Sequence, residues 1–235
     1  MKTIIKIKTY LVAALALLIA APMFTSCLSD DDYDGAIEVT SLVTFNGNFD
    51  SKAQFTFIPE GDLKTRTLIA DEAITDAIVK PGQRLVIRYA ETGGDDVIGY
   101  ISLRGYNVIH TVELEDVESE EAQAADTDID VNSAYTTIYR TGQYINFEPY
   151  VPYYNEREYT IYVDKNTKES PMPEIYIATK GIGEYKGVKH IDMVSFDISM
   201  IWNRIDCQGV KVHIINKTAE TSKVFEFKKG DKTSF

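Results

Sequence analysis

Short runs of alternating apolar and polar residues, separated by turn clusters, constrain this chain more than any other feature. In Val210-Lys211-Val212-His213-Ile214 and Val224-Phe225-Glu226-Phe227, a strand would present one buried face and one wetted face. Arg84-Leu85-Val86-Ile87-Arg88-Tyr89 is rich in the branched and aromatic side chains that suit a pleated, half-buried surface. Strands of this kind must cover their apolar face, so they are expected to close into a barrel or stack as a sandwich. The fold class is therefore expected to be all-β.

Residues 37–117 are read as one module. Ile37 to Phe45 makes a strand ending at the turn signal Asn46-Gly47-Asn48, and Gln54 to Ile58 and Arg66 to Ala70 follow. Asp71 to Val79 predicts the module's one helix: Asp71 is placed to cap it, and Ile74, Ala77 and Ile78 fall at three- and four-residue spacing. Arg84 to Tyr89 is the fourth strand, and Tyr100 to Leu103 with Val108 to Leu114 supplies the fifth. Five strands with a helix after the third is the order of an OB-like barrel. Such barrels host oligonucleotide and sugar binders, but function lives in sites and not in folds.

Residues 118–130 are acidic and short of large apolar groups, and read as a solvated linker. Asp126, Asp128 and Asp130 alternate as cation ligands do, but Val131 stands where a calcium loop needs glycine. Residues 131–235 resume the strand pattern. The runs are Tyr135 to Tyr139, Tyr144 to Phe147, Glu158 to Val163, Glu174 to Ala178, Met193 to Ile201, Val210 to Ile215 and Lys223 to Lys228. Short strands at this spacing with polar turns predict an antiparallel β-sandwich.

The N-terminus carries a different signal. Lys2, Lys6 and Lys8 precede the apolar run Leu11 to Ala21, and Phe24-Thr25-Ser26-Cys27 follows. The run falls short of the roughly 20 residues of a membrane-spanning helix, so residues 1–26 read as a removed signal peptide. Small residues just before a cysteine at the hydrophobic boundary mark Cys27 as the lipidated first residue of the mature chain. The rival is an ordinary secretory signal, cleaved without lipid. Each buried CH₂ of an acyl chain contributes about 0.8 kcal/mol, and one chain holds weakly, so stable anchoring takes more than one. Residues 27–36 form an acidic tether. Its Asp30, Asp32, Asp34 and Gly35 open like a calcium loop, but the twelfth position is Ser41 and a strand follows. It reads as a self-repelling spacer. With Cys27 committed to lipid, only Cys207 remains; no intrachain disulfide is expected, and stability rests on packing.

The formal net charge is −12, and losing Lys2, Lys6 and Lys8 with the leader makes the chain more acidic still. Such a surface repels phosphate backbones, which argues against nucleic acid as a partner. His110, His190 and His213 fall in separate runs, and Gly181-Ile182-Gly183 is followed by β-prone residues where a dinucleotide loop requires a helix. No catalytic residue, metal or cofactor is expected. The suggestive feature is aromatic. Tyr144, Phe147, Tyr150, Tyr153, Tyr154, Tyr159 and Tyr162 crowd a stretch broken by Pro149 and Pro152, which places Tyr150 to Tyr154 in a loop or on a sheet edge. Tyr150, Tyr153 and Tyr154 are thus the candidate contact residues, for a protein or, alternatively, for a glycan. Coplanar open rings would favour sugar, an apolar patch would favour protein, and rings buried in the core would favour neither.

One resemblance spans the mature chain. Cys27 with its acid run, the Arg84–Tyr89 strand after Lys80-Pro81-Gly82-Gln83, and the block Tyr144-Ile145-Asn146-Phe147 with Val194-Ser195-Phe196-Asp197-Ile198 resemble the NigD-like lipoproteins of Bacteroidetes in order and spacing. The resemblance implies an N-terminal OB-type domain, a C-terminal β-sandwich and no catalytic residues. The family's name comes from a bacteriocin gene cluster, which implies an immunity or secretion-accessory role through a protein partner. The Ser29-Asp30-Asp31 run resembles the signal that sends such lipoproteins to the cell surface. An outer-membrane anchor is therefore expected, with a periplasm-facing one as the alternative.

Overall fold

The computed structural model describes residues 37–59 and 64–230. Five strands close a barrel: β1 (Glu38–Phe49), β2 (Lys52–Phe57), β3 (Arg66–Ala70), β4 (Arg84–Gly94) and β5 (Ile98–Val108), in the order β1-β2-β3-β5-β4. β3 and β5 run parallel and the other neighbours antiparallel, the OB-like arrangement read from the sequence. Alternate residues point inward, so Val43, Phe55, Leu68, Leu85, Ile87 and Ile101 fill the interior, each contributing about 1.5–3 kcal/mol relative to exposure.

Two local expectations in the barrel are corrected. β1 runs straight through Asn46-Gly47-Asn48, which makes a bulge between Phe45 and Gly47 instead of a turn. Gly47 takes φ 116° there, a region that favours glycine. The chain reverses later, at Asp50 and Ser51, with φ of 49° and 61°, as a two-residue hairpin demands. Nor does Asp71 to Val79 form a helix. Asp71, the expected cap, instead accepts from Ser102 Oγ (2.7 Å) and Leu103 N (3.1 Å) on β5, and the Ser102 hydroxyl in particular holds its carboxyl below the usual value. Asn48 brackets Ile74, donating to its carbonyl (2.8 Å) and accepting from its N–H (3.0 Å). Asn48 thus satisfies main-chain groups that a helix would have paired internally. Ile74 and Val79 still plug the barrel core.

The second body is built from β6 (His110–Val117), β7 (Thr137–Thr141), β8 (Tyr144–Glu148), β10 (Glu156–Asp164), β11 (Glu174–Ile182), β13 (Val194–Asp197), β14 (Gly209–Asn216) and β15 (Thr221–Lys228). Their order is β15-β14-β11-β10-β6-β13-β8-β7. A separate ribbon pairs β9 (Tyr150–Pro152) with β12 (Lys189–Ile191). Residues 110–117, expected in the barrel, thus belong to the sandwich. The barrel is already closed by β3–β5 and β1–β4 pairing and offers β6 no free edge. The chain leaves it at Ile109, whose N–H donates to Arg84 O (2.9 Å). β6 then pairs through His110–Glu113 with β13 and through Leu114–Val117 with β10. A strand that changes partner midway lets the sheet fold over on itself, and the rings of Tyr159 on β10 and Phe196 on β13 meet at 6.5 Å in the shared core. The sandwich is mixed: β6–β10, β6–β13 and β11–β14 are parallel. The long connection from β11 to β14 supplies the crossover that a parallel pair needs.

Residues 118–130 are not a solvated linker. A helical turn, Ser119–Ala124, lays Ala122 and Ala125 against Val117 and Tyr176 on the outer face of the sheet, and Ile129 enters the main core. Small side chains permit that close approach. The acids are engaged by the protein: Asp126 Oδ1 accepts from Lys217 N (2.8 Å) and Asp128 pairs bidentately with Arg157. The expected strand Met193 to Ile201 also ends early, because Asp197 Oδ1 accepts from Ser199 N (2.8 Å) and starts the turn Ser199–Trp202.

Barrel and sandwich fall in one compact unit, and Arg84 ties them. This β4 residue is 1% exposed. Its guanidinium donates to Thr44 Oγ1 (3.1 Å) on β1 and to Thr141 Oγ1 (2.9 Å) on β7, and lies 4.5 Å over the Tyr144 ring. Asn146 extends the network, donating to Thr141 (2.9 Å) and accepting from Ser195 Oγ (2.9 Å). Burial pushes the Arg84 pKa down to about 10, because a charge taken out of water is disfavoured.

Candidate functional site

The prolines that interrupt the tyrosine-rich stretch leave a short strand, β9, which pairs with another short strand. Val188-Lys189-His190-Ile191 provides it, with Ile191 opposite Tyr150 and His190 opposite Val151. Val151 is fully buried in the sandwich core, so it roots the ribbon, and its neighbours in sequence turn away from the core.

The base of the ribbon is braced by polar contacts. Arg157 holds Asp128 and donates to Pro152 O (2.6 Å), and Thr179 Oγ1 donates to Asp128 Oδ1 (3.0 Å). Tyr159 OH donates to Asp192 Oδ2 (2.8 Å), and burial with the nearby carboxylate pushes the Tyr159 pKa up strongly. Tyr154 lies across Gly181, where an added Cβ would come within 2.2 Å of its ring; glycine is required by that close approach.

The sequence-derived candidates meet on this ribbon but differ in exposure. Tyr153 is 47% exposed, whereas Tyr150 and Tyr154 are half-buried. Tyr150 packs on Tyr135 at 5.4 Å and 52°, Tyr153 on His190 at 4.8 Å and 75°, and Tyr154 on Tyr185 at 5.6 Å and 42°. Lys189 Nζ stands 5.5 Å from the Tyr150 ring. Tyr144, Phe147 and Tyr159 fill the core. The sequence reading missed Tyr135, Tyr185, Val188 and Ile191, which are 64%, 48%, 55% and 54% exposed and extend the apolar surface. No period-two signal marks the second arm, since the apolar residues of Val188-Lys189-His190-Ile191 stand three apart. Cys27 lies outside the described residues.

Other chemistry is sparse. Among the described residues no group of three or more His, Cys, Asp or Glu side chains could hold a metal ion. Cys207 is buried and donates to Gly209 O (3.4 Å), beside an open depression of about 450 Å³ lined by Met172, Gln208, Lys228 and Lys229. His213 stacks on Tyr176 at 4.4 Å, and burial lowers its pKa. No helix among the described residues is long and apolar enough to cross a membrane.

No family model and no curated protein matches the chain. An OB-like barrel joined to a β-sandwich is, however, an architecture with solved counterparts. A protein of unknown function, DUF1344, from Bacteroides vulgatus is similar at TM-score 0.65 and 12% identity, over 83% of this chain and 92% of that one. A candidate lipoprotein from Bacteroides fragilis gives 0.59 and 12%, over 84% and 100%. A NigD-like immunity protein from Bacteroides caccae gives 0.52 and 13%, over 86% and 100%. At these identities the likeness is one of fold, and at that level the resemblance to NigD-like proteins holds.

Proposed function

We propose that this chain is a non-catalytic envelope lipoprotein, anchored in the outer membrane through acyl chains on Cys27, that works by binding another protein through the β9–β12 ribbon. The observation that carries the reading is the set of exposed aromatic and apolar side chains on and beside the ribbon, Ile191 with the flanking Tyr153 and Val188 and the neighbouring Tyr135 and Tyr185, over a base braced by Arg157 and Tyr159. Contiguous exposed apolar surface on a rigid base is a mark of interaction sites, and tyrosine is favoured at their centres. The tilts of 42° to 75° between neighbouring rings support a protein over a glycan, which would stack on an open flat platform. An immunity role draws support from the NigD-like neighbour's name, the bacteriocin or secretion-accessory version from the family resemblance alone, and presentation at the cell surface from the acid run after Cys27.

The test is photo-cross-linking in the native bacterium, with the reactive residue placed at Tyr153, at Tyr185, or at Glu226 on β15 as control. Discrete adducts at the two tyrosine positions and none at Glu226 are expected. Equal or absent adducts overturn the docking reading. Mass spectrometry of the same material checks the anchor: an unmodified Cys27 thiol sinks it.

A further inference from the structure

The two edges of the ribbon are unlike. Along antiparallel strands, residues alternately face the partner and face away. Asp192 N–H donates to Pro149 O (3.1 Å) and Tyr153 N–H to Val188 O (2.9 Å), with His190 opposite Val151 between them. The main chains of Pro149, Val151 and Tyr153 therefore face those of Val188, His190 and Asp192. On the outer edge of β9, Tyr150 N–H donates to Thr136 Oγ1 (3.2 Å), Pro152 has no N–H, and Pro152 O accepts from Arg157 Nη2 (2.6 Å). On the outer edge of β12 stand Lys189 and Ile191, and among the described residues no strand or side chain meets their main chain.

Folded proteins blunt their edges with proline, bulges or cover. β9 carries Pro152 and is covered by Thr136 and Arg157; β12 is short and carries Lys189, but among the described residues it has no proline, bulge or cover. The open edge is flanked by Val188 and Ile191, both more than half exposed. The segment from Lys180 to Ile191 also holds Lys180, Lys186 and Lys189 against the single acid Glu184, in a chain of net charge −12. Glu184 is taken by Lys186 (2.9 Å) and Lys180 lies opposite Glu158 on β10, which leaves Lys189 as the cation on the open edge.

We infer that β12 is a receptor edge: an extended acidic segment of a partner protein adds to it as the third strand of the ribbon. The incoming main chain bonds to Lys189 and Ile191, its carboxylates lie on the face that carries Lys189, and its apolar side chains lie on the opposite face, against Val188. In strand addition the main-chain bonds give affinity and alternate side chains give specificity. This rests on the docking reading above and names its mode and its partner chemistry.

The experiment uses the whole mature chain, expressed without lipid, and short synthetic peptides of alternating Asp and Val or alternating Lys and Val. Saturation with the Asp peptide is expected to slow amide exchange at Lys189 and Ile191 by about tenfold or more, since a paired edge opens less often. The Lys peptide is expected to do nothing, and Lys189→Glu to reverse the preference. Methylating the main-chain nitrogens of the Asp peptide removes binding without touching the protein. Absence of Asp-peptide binding, equal binding of both peptides, or binding that leaves the Lys189 and Ile191 amides unprotected overturns the inference. Should the cross-links at Tyr153 form in cells while these amides stay unprotected, strand addition falls and the docking reading stands.

Discussion

In the barrel each strand has a neighbour on both sides, because β3 meets β5 and β1 meets β4; in the ribbon β12 has, among the described residues, a neighbour on one side alone. The closed body spends its main-chain groups internally and buries alternate side chains in a core of its own. The ribbon borrows its footing, one buried valine and a few polar braces, from the sandwich beneath. Stability and contact capacity are thereby separated, and substitutions in the two kinds of region should have different readouts.

The largest expected effect is in the closed bodies. Phe147→Ala empties a fully buried site that packs against Phe196 at 6.4 Å, and should cost about 3–5 kcal/mol in denaturant unfolding. Tyr153→Ala on the ribbon should stay within about 0.5 kcal/mol of the parent. A ribbon substitution as costly as the core one would break the separation.

Next comes the tie between barrel and sandwich. Arg84→Ala removes donors to Thr44 and Thr141 and leaves a void where the buried guanidinium lay, which should cost about 2–4 kcal/mol. Arg84→Met keeps most of the volume and relieves the burial of a charge, so it should recover much of that loss. Trp202 fluorescence reports on the sandwich and amide exchange at Leu85 and Ile87 on the barrel. The parent should lose both signals together, and Arg84→Ala should separate them. Inside the barrel the plug rests on Asn48. Asn48→Ala frees both main-chain groups of Ile74 and should cost about 1–3 kcal/mol, with faster exchange at Ile74 and an unchanged ribbon.

Period two was enough to read the barrel, since Arg66–Ala70 and the start of β4 at Arg84 lie where the alternation puts them. What it left hidden was long-range. The acids of residues 118–130 look solvent-bound until Arg157 and the Lys217 amide are brought to them from distant strands. Asp71 looks like a helix cap until Ser102 competes for its carboxylate. β6 follows the barrel strands in sequence, yet its partners, β10 and β13, lie far down the chain. For the candidate site, the prolines located the first arm, but the second needed pairing between residues 150–152 and 189–191, which no local pattern encodes.

The smallest effect sharpens the contrast most, because it loosens the ribbon and spares the barrel. Tyr159→Phe removes one hydrogen bond to Asp192, while Asp192 keeps its bond from Met193 N (2.9 Å) and its own N–H keeps Pro149 O (3.1 Å). The net cost should be about 1 kcal/mol near neutral pH, with faster amide exchange at Tyr153 and Asp192 and none of it at Leu85. Alkali gives an independent check. The folded pKa of Tyr159 is raised above the ordinary 10.0, and that of Tyr176 is raised to about 12, mainly by burial. Below pH 10 both rings are neutral in either state and their contribution is intact. As pH climbs past 10 the unfolded chain loses those protons first, and stability falls. Arg84, with its pKa lowered to about 10, acts in the opposite direction in the same window. The informative quantity is therefore the difference between parent and Tyr159→Phe, which should shrink steadily as pH rises above 10. A difference that does not change with pH would mean that the Tyr159 hydroxyl does not brace the ribbon.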